Sequence, residues 1–402
     1  MQQVVVLGAT GSIGLNTLDV IDRHPDRFEV FALTANRSVD DMCELVARHR
    51  PKVVVMGCAE AAQALHDKLP PNGVTEVRSG EAAMVEVAEH PAVDIVMAAI
   101  VGFAGLRPTL AAAQAGKRLL LANKEALVSA GSVFIDAVKR GGAVLLPIDS
   151  EHNAMFQCLE SDELARPHMD TVEKIILTAS GGPFLGKRRE ALHEVTPEQA
   201  CNHPNWSMGP KISVDSATLV NKGLELAEAC WLFSRTPAQV EVVIHPQSIV
   251  HSMIRYTDGS VLAQLGNPDM RTPIAYGLGW PDRIQAGVPA LDLVAAGRLD
   301  FLPPDLEAFP CLRLAMEAIT LPGGMCVFNA ANEVAVAAFL ARQIRFTDID
   351  QVIEKTLGAI SLAEPSDLSG VEALDGESRD LAGELVTRIS NGDTGGGERE
   401  WR

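Results

Sequence analysis

The chain has 402 residues, 47% of them hydrophobic and 21% charged, and a formal net charge of -18 at pH 7. This length exceeds one ordinary domain and the composition is globular, so two or three units with sizeable cores are expected. The acidic balance argues against a nucleic-acid or anionic-membrane partner. No run is long and apolar enough to span a bilayer, and the start lacks the features of a signal peptide. The seven cysteines are scattered, with no C-x-x-C pair. They read as reduced thiols of a cytoplasmic protein.

The apolar run Val4-Val5-Val6-Leu7 leads into Gly8-Ala9-Thr10-Gly11-Ser12-Ile13-Gly14, followed by helical spacing over residues 15–23. Strand, glycine turn and helix are the context of a dinucleotide fingerprint, here spaced G-x-x-G-x-x-G. The glycines let the backbone approach a pyrophosphate, and the helix start offers free N–H groups; a structural turn is the alternative. A second strand, 28–34, should end beside the adenosine ribose. NAD-preferring sites place an acid there. This chain has Asn36-Arg37-Ser38, and Arg37 can pair with a 2′-phosphate, which favours NADP(H). Alternatively, Ser38 simply caps the next helix, with Asp41 completing a capping box.

Further strands over 52–56, 93–100, 118–122 and 143–148 alternate with helices over 39–49, 59–68, 81–89, 106–115 and 131–140. The alternation predicts an α/β unit with a doubly wound parallel sheet of Rossmann type. Such sheets bind ligands at the carboxyl ends of their strands, where Asn123-Lys124-Glu125 and Asp149-Ser150-Glu151 stand. If the extended geometry continues, Asp149 and Glu151 share one face as hard oxygen donors for a divalent cation. A solvated acidic turn is the plain alternative.

A strand over 172–178 runs into Ser180-Gly181-Gly182, an anion-binding turn or an ordinary one. Residues 201–210 carry two prolines, Trp206 and Met208 without periodicity, and read as a lid or as a loop pinned by Trp206. From Ser216 the pattern is helical, with Asn221, Lys222 and Glu225 on one side. Asn221 and Lys222 with Ser216 and Ser180 form a plausible phosphate cradle, and Glu225 a third metal carboxylate; an ordinary surface Lys–Glu pair is the alternative. Residues 240–265 read as β-structure extending a sheet, with a hairpin at 256–259. His245 and His251 within it read as core or interface histidines. The loop 266–273 borders the site. Residues 286–310 read as a linker, 311–389 as a helical bundle that includes Asn329-Ala330-Ala331-Asn332-Glu333, and 391–402 as a disordered tail.

These motifs together resemble the 1-deoxy-D-xylulose 5-phosphate reductoisomerase family. The resemblance rests on residues 8–14, Leu121-Ala122-Asn123-Lys124-Glu125-Ala126-Leu127, 146–153, 178–184, 203–209, 211–225, 245–251, 266–273 and 329–333, and covers nearly the whole chain to about residue 390. It implies a homodimer that uses NADPH and Mg2+, Mn2+ or Co2+ to rearrange and reduce a sugar phosphate to 2-C-methyl-D-erythritol 4-phosphate. The metal ligands it implies are Asp149, Glu151 and Glu225. The substrate residues are Lys124, Ser150, Glu151, Ser180, His203, Ser216, Asn221, Lys222 and Glu225. The cofactor contacts are Thr10, Gly11, Ser12, Ile13, Asn36, Arg37, Ser38, Asn123, Glu125 and Gly209. Trp206 is expected over the substrate and Met208 toward the nicotinamide. Two departures stand out: no glycine precedes the basic residue of the ribose loop, and Pro210 stands where a basic residue is common. The implied organisation is an NADPH-binding domain over 1–149, a catalytic and dimerisation α+β domain over 150–285 with its lid at 201–210, the linker, a helical domain over 311–390, and the tail. The competing readings are another NADP-dependent two-domain oxidoreductase, such as a semialdehyde or sugar-acid dehydrogenase, and a nucleotide-sensing protein without catalysis.

Overall fold

Apolar β-branched runs alternate with amphipathic helices through the first third of the chain, and in the computed structural model they build a seven-stranded sheet. The structure describes residues 1–70, 73–206 and 208–392. Ser207 of the expected lid, and the expected tail from residue 393 on, lie outside the described residues. The chain separates into two units. The first comprises Met1–Ala179 with Glu228–Leu302, and the second Ser180–Ala227 with Pro303–Arg402.

In the first unit the elements run β1 (Gln2–Leu7), α1 (Ser12–Asp22), β2 (Phe28–Ala35), α2 (Val39–His49), β3 (Val53–Met56), α3 (Ala59–Lys68), β4 (Glu76–Ser79), α4 (Glu81–Glu89), β5 (Ile95–Ala98), α5 (Leu106–Gln114), β6 (Arg118–Leu121), α6 (Lys124–Gly141), β7 (Val144–Pro147), α7 (Ser150–Gln157) and β8 (Val172–Ala179). The first seven strands are parallel in the order β4-β3-β2-β1-β5-β6-β7. The order reverses between β1 and β5, so the switch point, where a doubly wound sheet opens a crevice, lies at the end of β1. The central strands β1, β3, β5 and β6 are almost wholly buried, as the uninterrupted Val/Leu runs require of a sheet covered on both faces.

The glycine turn follows from steric need. Gly8 has φ +81, and a Cβ there would lie 2.6 Å from the Ala99 oxygen. At Gly14 a Cβ would meet the Gly8 oxygen at 2.4 Å and the Ala9 Cα at 2.6 Å. Only a residue without a side chain lets α1 pack this tightly on the turn.

Three local expectations are corrected. Strand β4 was not anticipated; its sequence, Glu76-Val77-Arg78-Ser79, is polar and partly exposed, as an edge strand permits. Helix α6 begins at Lys124, ahead of the expected 131, and kinks at Gly131, where φ is 43 and a Cβ would meet the Trp231 ring at 2.7 Å. The extended geometry expected through Asp149-Ser150-Glu151 stops at Asp149. Asp149 is instead the N-cap of α7 and accepts from the Glu151 N–H at 3.3 Å. An Asp after a strand offers an acceptor to the free amides of a helix start, and the chain turns helical at once.

After helices α8 (Pro197–Ala200), α9 (Pro210–Thr218) and α10 (Val220–Leu232), which begin in the second unit, the first unit resumes with β9 (Val240–Ile244), β10 (Val250–Tyr256), β11 (Val261–Leu265), α11 (Arg271–Gly279) and α12 (Leu293–Ala296). The unit boundary falls inside α10. The expected hairpin is present as β10 and β11. These strands do not extend the large sheet; with β8 and β9 they form a separate one, in the order β11-β10-β8-β9. The rest of the second unit is helical: α13 (Pro310–Ala318), α14 (Gly324–Leu340), α15 (Ile349–Ala359) and α16 (Leu368–Ser390). Small residues allow close packing there, and Gly223 of α10 abuts the Ala315 side chain.

Gly14→Ala is expected to destabilise the fold by roughly 1–3 kcal/mol, the cost of overpacking a tight contact. Denaturant unfolding measures it, and a variant as stable as the parent would show that the turn is looser than described.

Candidate active site

The expected cofactor residues border the carboxyl ends of β1 and β2. Gly11 is the N-cap of α1 and no side chain caps it, so the amides at Ser12 and Ile13 open a helix start without a competing acceptor. Thr10 is partly exposed, and Gly11 and Ser12 are exposed. At the end of β2, the Asn36 oxygen accepts the Gly57 N–H at 2.9 Å, which locks this loop to the end of β3. Beside it lies a cleft of about 310 Å³ lined by Arg37, Val39, Cys58, Glu60 and Ala61. Ser38 precedes α2 but makes no side-chain capping bond. The cleft contains an acid that its position in the chain concealed. Glu60 has its carboxyl lowered, first by its own backbone N–H, then by Cys58, with a smaller contribution from the Arg37 charge.

At the ends of β6 and β7 the first unit gathers charge. Asn123 caps α6, accepting the Ala126 N–H at 3.1 Å and donating to the Gly102 oxygen at 3.0 Å. This cap fixes the first turn of α6, in which Lys124 and Glu125 are 5% and 7% exposed. The Lys124 ammonium pairs with the Asp149 carboxylate. Burial works against the Asp149 charge, but Lys124 and a hydrogen bond with His152 hold its carboxyl well below the usual range. Ser150 donates to Glu151.

Two residues behind Asp149 were not anticipated. His152 Nδ1 lies 3.6 Å from Asp149 Oδ1 and 3.3 Å from Glu228 Oε2, and both His152 and Glu228 are fully buried. The three offer ligand atoms within 4.8 Å of one another. Helical spacing was the available signal, since Glu228 follows Glu225 by three positions on α10.

In the second unit, Ser180 follows β8. Its Oγ accepts the Gly182 N–H at 3.1 Å and lies 2.8 Å from His203 Nε2. Gly182 has φ +68, and a Cβ there would meet the Ser216 oxygen at 2.8 Å, so the turn rests against the backbone of α9 at Ser216. Asn221 and Lys222 both donate to Glu225. Lys222 and Glu225 are 4% and 1% exposed, so the alternative of a solvated surface pair is excluded. A buried ion pair is costly to keep unless further contacts use it. Gly209 is the N-cap of α9, and among the described residues a Cβ there would meet nothing within 4 Å. Pro210 occupies the first turn of α9, where a missing N–H costs nothing.

His245 and His251 are buried on or beside β10, in keeping with the core reading. His245 Nδ1 lies 2.8 Å from the Asp300 oxygen and its ring stacks on Phe301. Burial pushes His251 down to about 4, against the raising effects of backbone bonds at Asn267 and Gly266 and of the Asp149 charge.

A Rossmann-type sheet with an Arg37-lined cleft beyond its second strand and anionic groups at its strand ends fits a nucleotide-dependent oxidoreductase with acid–base or metal chemistry. Comparison with known proteins specifies which. Family models described as 1-deoxy-D-xylulose 5-phosphate reductoisomerase, its C-terminal domain, and the DXP reductoisomerase C-terminal domain match residues 4–131, 145–233 and 265–381. The 1-deoxy-D-xylulose 5-phosphate reductoisomerase of Stutzerimonas stutzeri is 58% identical over 388 residues, covering 96% of this chain and 98% of its own length. That of Pseudomonas aeruginosa strain UCBPP-PA14 is 59% identical over 389 residues, covering 96% and 98%. The chain belongs to the 1-deoxy-D-xylulose 5-phosphate reductoisomerase family. Among solved structures, the Zymomonas mobilis enzyme in complex with NADPH matches with a TM-score of 0.89 and 49% identity, covering 96% of this chain and 99% of that one. A DOX-P reductoisomerase in complex with NADPH, fosmidomycin and magnesium matches with a TM-score of 0.90 and 46% identity, covering 97% and 99%.

The state of His251 sets an acid limit on stability. Folded His251 stays neutral down to about 4, whereas the unfolded side chain titrates near 6.5. Between these values the unfolded chain binds a proton that the folded chain refuses, so stability is lost as pH falls through the window. The loss from this group amounts to about 3 kcal/mol. Urea unfolding from pH 7 to pH 4 should show a flatter acid limb in His251→Gln; an identical slope would rule this assignment out.

Proposed function

We propose that this chain converts 1-deoxy-D-xylulose 5-phosphate to 2-C-methyl-D-erythritol 4-phosphate with NADPH and a divalent cation, a step of the non-mevalonate route to isoprenoid precursors. Family membership over nearly the full length carries this reading, and relatives bound to NADPH and magnesium support the cofactors. No observation favours a semialdehyde dehydrogenase or a non-catalytic sensor.

The residues fit both groups. The uncapped amides at Ser12 and Ile13 suit a pyrophosphate, with Thr10 and Gly11 beside them. Arg37, with Asn36 and Ser38, suits a 2′-phosphate in the cleft beyond β2. Asn123, Glu125 and the side-chain-free Gly209 are the remaining proposed cofactor contacts. For the metal, Asp149 and Glu151 supply hard oxygens, and Asp149 stays ionised although buried. Glu225 is the proposed third ligand. It lies one helical turn before Glu228, and His152 with Glu228 backs Asp149 as outer-shell partners do at metal sites. Mg2+ and Mn2+ both suit such a set.

When bound, the metal supplies Lewis acidity and the reduced nicotinamide supplies the hydride. Lys124 adds positive charge beside the reacting oxygens, where developing negative charge needs it. Ser150 and Glu151 orient the substrate hydroxyls. Ser180, Ser216, Asn221 and Lys222 grip the phosphate, with His203 beside them. That remote binding energy orients the reacting carbons and favours closure of the segment 201–210, with Trp206 over the substrate.

The chain acts as a homodimer. β11 is an edge strand that exposes Val261 and Leu262, at 46% and 50%, and the segment after it exposes Leu293, Val294, Phe301 and Leu302. Unpaired backbone and apolar side chains together suit a second copy of the same surface.

NADPH oxidation with 1-deoxy-D-xylulose 5-phosphate should require Mg2+ or Mn2+ and stop with EDTA; turnover that persists in EDTA would defeat the metal requirement. Glu225→Gln should lose metal-dependent turnover and bind Mn2+ at least tenfold more weakly by calorimetry, while keeping NADPH affinity. Near-normal Mn2+ binding would remove Glu225 from the ligand set. Arg37→Ala should cut the preference for NADPH over NADH about tenfold or more, by loss of a charge-assisted contact; an unchanged ratio would remove Arg37 from the 2′-phosphate site.

A further inference from the structure

Cofactor choice at a Rossmann-type site is set beside the adenosine ribose, by an acid that takes the 2′-hydroxyl or a cation that takes the 2′-phosphate. This chain carries the cation, Arg37, just after β2, and the loop Asn36-Arg37-Ser38 holds no acid. An acid reaches the same place from the next βα unit. β2 and β3 are parallel and end level, with Ala35 opposite Met56, so Asn36 and Gly57 leave the sheet side by side. A Cβ at Gly57 would lie 2.3 Å from Asn36 Oδ1 and 3.1 Å from the Asn36 Cα. Only glycine lets the two loops close on each other here, and the Gly57 N–H donates to the Asn36 oxygen at 2.9 Å. α3 starts two residues further on, and its first turn brings Glu60 to the cleft that Arg37 also lines.

Arg37 and Glu60 are both exposed, and among the described residues they form no ion pair with each other. The Glu60 carboxylate is held instead at the start of its own helix. Its own backbone N–H, then Cys58, keep it below the usual carboxylate range, with a smaller part from the Arg37 charge. An ionised carboxylate only accepts hydrogen bonds. A ribose 2′-hydroxyl can donate to it. A 2′-phosphate presents only acceptors and negative charge, and is repelled.

We propose that Glu60 is a specificity-determining residue of the cofactor site, which accepts from the 2′-hydroxyl of NADH and repels the 2′-phosphate of NADPH. It opposes Arg37 across the cleft and narrows the preference that Arg37 sets. The inference rests on the reading of this cleft as the 2′-phosphate site. Because both charges stand in solvent, their balance is screened by salt.

The test reads binding alone. NADPH and NADH are titrated separately into the full chain with Mg2+, and nicotinamide fluorescence gives the ratio of their Kd values. Glu60→Gln keeps the shape and an acceptor oxygen but loses the charge. It should tighten NADPH roughly threefold, the scale of an exposed charge interaction, and leave NADH nearly unchanged. Glu60→Ala also loses the acceptor, so it should tighten NADPH to a similar extent and weaken NADH. At about 1 M salt, where the screening length falls to about 3 Å, the gain for NADPH should largely vanish. An unchanged ratio in Glu60→Gln at low salt, an equal shift for both cofactors as a purely structural residue would give, or a loss of NADPH affinity each overturns the proposal. Arg37→Ala in the same titrations judges the reading beneath it. If Arg37→Ala narrows the ratio and Glu60→Gln does not widen it, the cleft stands as the 2′-phosphate site and the role of Glu60 falls. If Arg37→Ala leaves the ratio unchanged, both fall.

Discussion

The first unit depends on keeping a negative charge at Asp149 where little water reaches. A buried carboxylate protonates unless nearby charge and hydrogen bonds favour its ionised form. Lys124 and His152 favour it here, and each is held by a different device. Lys124 is fixed by the Asn123 cap on α6, and His152 stands on α7, the helix that Asp149 itself begins. The same carboxylate therefore caps a helix, pairs with a lysine and is a proposed cation ligand. Ordering these helices at adjacent strand ends is what a parallel sheet does naturally, since β6 and β7 are neighbours in register.

The need for a dry, charged site also explains an arrangement that would otherwise be unfavourable. Lys222 with Glu225, and His152 with Glu228, place ionisable groups where desolvation costs more than pairing returns. Stability alone would select apolar residues at these positions. The proposed cation and anionic substrate would add further interactions to these paired charges. The chain accepts local cost here and recovers it in the apolar strands β1, β3, β5 and β6.

Much of this was legible in the sequence, and what was not has physical causes. The buried strands announced themselves as unbroken Val and Leu runs, and the glycine turn by its spacing. β4 did not, because an edge strand carries no apolar run. The helical start at Ser150 was hidden because an acidic pair after a strand reads equally well as extended chain; only the cap at Asp149 decides between them. Glu60 entered the cleft beside Arg37 from the next βα unit, a proximity set by sheet order and invisible in linear spacing. His152 and Glu228 lay within stretches already singled out, yet their facing depends on how α7 and α10 pack, which no local pattern encodes. The partition into two units likewise follows tertiary packing, since the chain leaves the first unit after Ala179 and returns within a single helix at Glu228.

That return within α10 has a consequence for how the proposed ligands act. Glu225 and Glu228 are on one helix, three residues apart, yet they belong to different units. A helix transmits displacement along its axis with little bending unless Pro, Gly pairs or an inserted group break its hydrogen bonds. Residues 224–229 contain none of these breakers. Asn221 and Lys222, proposed to hold the phosphate, stand on the preceding turn of the same helix. The proposed phosphate contacts and the proposed metal ligand Glu225 therefore draw on consecutive turns of one helix.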